Sequence, residues 1–241
     1  MNGRDQTSSS ANWTWRPSIE VALMTLLLIA LLSLVLDTLL QGISNLANIQ
    51  ILGTPIGTAI LGASEALLLI PLLLYSKRLG ICHSQFAPRA QNWRQGLSDI
   101  GAGALMGIAM VPTSIVLSII NEMALGQQPG AEYLKNAFTV TSPFEAVLLL
   151  SVVVLVVAPS EEVISRGFIQ QGLEKSFGRI KGLLVASLIF AIIHLSLWSS
   201  FPLLCLGMML GLIFQLRHYR VLAPIAAHAV YMICLVIINS I

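Results

Sequence analysis

Charge is what this sequence lacks. Only 10% of its 241 residues are Asp, Glu, Lys or Arg, against roughly 25% in ordinary globular chains. With 56% hydrophobic residues and a mean hydropathy of +0.85, a globule of this size could not hide its apolar surface within itself, which excludes a water-soluble protein. No dense basic cluster accompanies the net charge of +2, so the footprint of a nucleic-acid binder is missing as well. Cysteine is scarce too. Cys82, Cys205 and Cys234 show no metal or redox spacing, and the last two sit in apolar runs as small hydrophobes.

What the chain has is long apolar runs. About 20 such residues cross the roughly 30 Å of a bilayer's hydrocarbon. Ile19 to Leu40, Ile49 to Tyr75 and Leu97 to Ile120 qualify, and further spans begin near Phe144, Gly182, Phe201 and Val221. These predict an all-α fold, a polytopic transmembrane helical bundle of about seven spans, within a range of six to eight. The fifth and sixth are short enough to form a re-entrant hairpin instead. One membrane domain is expected over 19–241 after a cytoplasmic tail, 1–18. The first span lacks an Ala-x-Ala-like cleavage site and reads as retained, with Trp13 and Trp15 suited to an interfacial belt.

Three pairs of glycines four apart, Gly53 with Gly57, Gly103 with Gly107 and Gly207 with Gly211, suit close helix packing. Pro55, Pro71 and Pro112 could kink their spans. Basic residues fall in every second loop: Arg4 and Arg16, then Lys77, Arg78, Arg89 and Arg94, then Lys175, Arg179 and Lys181, then Arg217 and Arg220. This predicts a cytoplasmic N-terminus and a C-terminus on the other side.

Ionisable groups inside hydrocarbon are expensive and mark function by default. Asp37 and Glu65 are isolated and read as structural, Asp37 near the outer end of its span and Glu65 facing the bundle interior or snorkelling. Glu161, Glu162, Arg166, His194 and His228 form the stronger set. Glu162 and Arg166 are four apart with the carboxylate first, the favourable order for an ion pair on one helix face. Glu161 is turned by about 100° from Glu162 and is left uncommitted. The midpoint of Glu161 and His194 falls at the Phe177 and Gly178 turn, which levels them across an antiparallel hairpin. His228 lies about 12 Å beyond Arg220 and Glu161 about 14 Å before Gln170 by helical rise. All three can therefore share one depth, in a polar site below the cytoplasmic surface. His83 and His218 lie in basic loops and read as solvated.

These residues carry a pattern. The run Ala158 to Phe168, with Glu161, Glu162 and Arg166, resembles the Glu-Glu-x-x-x-Arg motif of the CPBP (CAAX protease and bacteriocin-processing, or Abi) intramembrane endopeptidases. Phe190 to His194 resembles their Phe-x-x-x-His motif. Ala223 to His228 resembles the start of a third, in which Asn or Asp follows the histidine by four positions. The resemblance covers about 158–232. It implies that Glu161 and His194 activate water, that His228 polarises the scissile carbonyl or stabilises the oxyanion, and that Glu162, Arg166 and Phe190 support them. Met232 departs from the pattern, since a thioether is a poor replacement for an amide donor; Tyr231 is a neighbouring substitute.

Glu161, His194 and His228 could also supply three ligands to Zn²⁺ with an open water position, although the sequence lacks a His-Glu-x-x-His helix and a glutamate-type mechanism is the expectation. The implied activity is hydrolysis of a peptide bond in a membrane-anchored substrate, prenylated (CAAX-type) or a small peptide, at a site opening to the cytoplasm. The competing reading is a membrane scaffold or bacteriocin-immunity protein of the same fold. A transporter finds no inverted repeat to support it.

Overall fold

A computed structural model describes residues 13–241; residues 1–12 of the expected tail, Arg4 among them, lie outside the described residues. Among those described, every regular element is helical. The first helix, α1, spans Trp15–Ala47. The second crossing is α2 (Pro55–Ser64), a 3₁₀ turn (Glu65–Leu68) and α3 (Leu69–Leu79), followed by the short α4 (His83–Phe86). Helix α5 covers Trp93–Leu125 and α6 Ala131–Phe138. The motif-bearing crossing is compound: α7 (Pro143–Val152), a π segment (Val153–Val157), α8 (Ala158–Glu162), a second π segment (Val163–Gln170) and α9 (Gln171–Phe177). Helices α10 (Arg179–Ile193), α11 (Leu197–Leu216) and α12 (Leu222–Ser240) complete the chain.

Six helices are long and apolar enough to cross a membrane, and their outer faces carry exposed Leu27, Leu34, Leu105 and Leu155, as lipid contact requires. The protein is an integral membrane protein. The expected span not among these six is the fifth, α10, only 15 residues long and so about 22 Å, less than the hydrocarbon thickness. It is cut short by two reversals, at Gly178 (φ +81°) and at Leu195, a non-glycine residue at φ +51°. Both α10 and α11 thus have their roots at the end of the bundle that carries Arg179, Arg217 and Arg220, here called the basic end. Their shared tip lies against the far end of α5, where Trp198 Nε1 donates to Gly126 O at 3.1 Å.

The glycine pairs divide. A side chain at Gly103 or Gly107 would collide with the backbone of α12 at Ala223 and Ala227, so these two glycines let α5 and α12 touch backbone to backbone. Gly207 and Gly211 likewise admit α10 and the second π segment. Gly53 and Gly57 do not pack helices: Gly53 sits in a loop at φ +75° under Tyr133, and Gly57 lies over Ile51 O in the first turn of α2. Pro55 occupies the first position of α2, where a missing N–H costs nothing, so it begins that helix instead of kinking it.

Trp13 also departs from expectation. It is 1% exposed, stacked on Phe168 at 5.2 Å, with its indole N–H donating to Phe168 O at 3.2 Å. An aromatic cage and a reachable carbonyl outcompete the interface. Trp15, 41% exposed, keeps the surface position. At the same basic end Asp99 is wholly buried and takes hydrogen bonds from Arg220 at 2.6 and 2.8 Å and from Arg217 Nε at 2.7 Å, tying α5 to the turn before α12.

Candidate active site

The Glu-Glu sequence occupies α8, a single α-helical stretch between two π segments. In a uniform α-helix every fourth residue drifts by about 40°, so Glu162, Arg166, Gln170 and Glu174 would spread round the axis. The wider turns of Val163–Gln170 take up that drift, and all four side chains are buried on the inside of the bundle. Arg166 Nε donates to Glu162 Oε2 at 3.0 Å with both side chains fully buried. Gln170 Nε2 donates to Glu174 Oε1 at 2.6 Å. Glu174 also accepts from Gln215 at 2.7 Å and from the Tyr219 hydroxyl at 2.9 Å. Burial, together with that bond to Glu174, pushes the Tyr219 phenol above its ordinary pKa. A polar ladder therefore descends from the level of the motif to the basic end.

Glu161 leaves the ladder and faces a cavity of about 400 Å³ between α1, the 3₁₀ turn, α8 and the tip of α10. His194 reaches the same cavity. Its Nε2 is 3.8 Å from Glu161 Oε2, with side-chain exposures of 30% and 18%. His194 Nδ1 lies 2.7 Å from Phe190 O. A carbonyl only accepts, so Nδ1 carries the hydrogen and Nε2 presents its lone pair toward Glu161. Phe190 links the two motifs, its ring 4.7 Å from that of His194 and 4.6 Å from the Arg166 guanidinium carbon.

His228 is placed differently from expectation. It is buried and is absent from the cavity lining. Its Nδ1 donates to Glu162 Oε1 at 3.0 Å, so it stands behind the cavity, joined to Glu161 through the neighbouring residue. The three residues do not share one cavity, because Glu161 and Glu162, about 100° apart around the helix, face different sides. Among the described residues no three His, Cys, Asp or Glu side chains converge as a metal site. Glu161 and His194 line the cavity and His228 does not, so the three do not converge as the ligand set that Zn²⁺ would need, and no step is derived through it.

Met232 packs beside Ala59, Leu149, Val153 and Val236, while Tyr231 packs with Met110, Phe190 and Leu206; neither lines the cavity. The cavity's further polar residues include Thr25, Asp37, Glu65 and Ser165. Thr25 Oγ1, Glu65 Oε2 and Glu161 Oε2 are buried without a hydrogen-bond partner, and buried polar atoms of that kind mark a place for water or a polar ligand. Glu65 carried the same signal as Glu161, an ionisable residue inside an apolar span, but had no second charged residue nearby in sequence.

The lining runs along α1 through Ser33 to Asp37 and on to Tyr133, toward the end opposite the basic loops.

The family model for type II CAAX prenyl endopeptidase Rce1-like proteins matches residues 143–234. Over this part the chain is similar to that family. The matched segment runs from the first residue of α7 into α12 and includes Glu161, Glu162, Arg166, Phe190, His194 and His228. No curated protein and no solved structure matches the chain.

Proposed function

We propose that the protein is an intramembrane endopeptidase in which Glu161 and His194 activate water against a peptide bond of a membrane-associated substrate. The observation that carries this reading is the Glu161–His194 pair, 3.8 Å apart in a polar-lined cavity. That separation is too long for a direct hydrogen bond, and a single water can touch both groups. The water gives a proton to the Glu161 carboxylate as its oxygen bonds to the scissile carbonyl carbon. The carbon–nitrogen bond then breaks as that proton passes to the leaving amine. His194 Nε2 orients the water.

His228 serves through Glu162. A direct role at the oxyanion would require hydrogen on Nε2 as well as on Nδ1, a charged ring held by the Glu162 carboxylate. Ile29, Leu32, Leu61 and Ile193 supply the apolar wall, which suits a prenylated CAAX-type end or the apolar side chains of a small peptide. With the basic end in the cytoplasm, as the loop charges favour, the Asp37 end of the cavity faces the opposite side.

The test is cleavage of a fluorogenic C-terminal peptide, prenylated and unprenylated, by the full chain in liposomes. Glu161→Gln and His194→Ala should each lower kcat by about 10²- to 10⁴-fold, and His228→Ala should also impair cleavage. Equal processing by the parent and all three variants defeats the reading, and leaves the scaffold or immunity role in its place.

A further inference from the structure

Glu65 lines the same cavity as His194, on an element that the motifs do not include. It begins the 3₁₀ turn that interrupts the second crossing, and that turn packs on α8. The approach is set one turn earlier. A Cβ at Gly62 would come within 3.0 Å of Val157 Cγ2 and 3.2 Å of Val152 Cγ1, so the bare glycine lets α2 lie directly on the first π segment. The two crossings run in the same direction. One turn further along each, Glu65 follows Gly62 and Glu161 follows Val157, and both carboxyl groups line the same cavity.

Both groups have a buried oxygen, Glu65 Oε2 and Glu161 Oε2, with no other partner. Two carboxylates in contact cannot both be ionised at modest cost, whereas one proton between them satisfies an oxygen on each. The other ionisable side chains lining the same cavity are Asp37 on α1, Tyr133 on α6 and His194 at the tip of α10. None of these is an Arg or Lys that could compensate a second negative charge.

We infer that Glu65 is a positioning residue for the water-activating glutamate: its carboxylic acid donates a hydrogen bond to the Glu161 carboxylate, which keeps lone pairs free to take a proton from water. Glu65 neither touches the substrate nor transfers its proton during the reaction. Its effect is to fix the Glu161 rotamer at the distance from His194 that admits one water. This rests on the protease reading for its consequence in catalysis, but the hydrogen-bonded pair is tested independently of it.

Two variants and two measurements test the inference in the full chain. Glu65→Leu removes the donor and should lower kcat on the prenylated fluorogenic peptide by about 10- to 100-fold, the scale of a catalytic group displaced by about 1 Å, with KM nearly unchanged. Glu65→Gln keeps an N–H donor and should retain most of the parental kcat. Independently of cleavage, infrared spectra of the purified protein at neutral pH should contain a buried carboxylic-acid C=O stretch that is absent from Glu65→Gln. Parental kcat in Glu65→Leu, or equal inactivity of Glu65→Leu and Glu65→Gln, overturns the positioning role. A C=O band that persists in Glu65→Gln overturns the shared proton whatever the activity. If the parent cleaves neither peptide, the protease reading fails and the infrared result still decides the pair.

Discussion

Replacing Arg166 with Met tests whether the Glu162 side of the motif is held together by charge. Arg166 and Glu162 are both fully buried and 3.0 Å apart, and Glu162 also holds His228 at 3.0 Å. Breaking a buried ion pair by deleting one partner costs about 3–5 kcal/mol, because the surviving charge is stranded. Here Arg166 Nη1 and Nη2 already lack partners, so the substitution also removes two unsatisfied donors, which offsets part of that cost. The expected loss therefore falls at the low end, about 3 kcal/mol. The double variant Glu162→Gln/Arg166→Met leaves no stranded charge and still offers His228 Nδ1 an amide oxygen. It should be more stable than the single variant by about 2 kcal/mol. Unfolding by SDS in mixed micelles, followed by tryptophan fluorescence, would give both differences. An Arg166→Met protein within about 0.5 kcal/mol of the parent, or a double variant less stable than the single, would refute the reasoning.

Other expectations follow from the packing. Gly107→Val should destabilise the bundle by about 1–3 kcal/mol through overpacking, since even a Cβ there meets the α12 backbone at Ala227; Gly101→Ala, with open space around it, serves as the near-neutral control in the same unfolding assay. Asp99→Ala should cost about 3 kcal/mol, because it strands the buried Arg220, while the more exposed Arg217 turns to water. Met232→Asn should not raise kcat, and should lower stability by about 1 kcal/mol, because its amide would lie among Ala59, Leu149 and Val236. In a cysteine-free background, Asp37→Cys and His218→Cys should be labelled by an impermeant maleimide from opposite sides of the membrane; labelling from one side would overturn the assignment of the cavity's far end.

Membrane spans were legible because hydrocarbon thickness imposes a length that apolar runs must meet. Glu162 with Arg166 was legible for a similar reason, since spacing on one helix fixes the partner. Glu65 was not. Its partner lies on another crossing, and only the space left by Gly62 brings them together. Trp13 was misplaced because interfacial preference is an average over tryptophans, whereas Phe86 and Phe168 supply a particular cage. The shortness of α10 came from its reversal at Leu195, a residue type that gives no sign of a left-handed turn. That α1 and α6 contribute to the cavity lining also escaped sequence, because depth along a helix is a count of residues and the neighbours of a gap depend on how helices lean.

The first π segment has a bearing on how this protein can tolerate change in length. A π turn holds one more residue than the α-helical turn it replaces. Deleting a single residue within Val153–Val157 would let that turn relax to α-helix while α7 and α8 keep their orientation about the common axis. Leu149 would stay interior and Phe144 and Val147 exposed, and Glu161 would keep its aim. The segment therefore works as a length buffer: the crossing can give up one residue there without turning either its lipid-facing side or the glutamate.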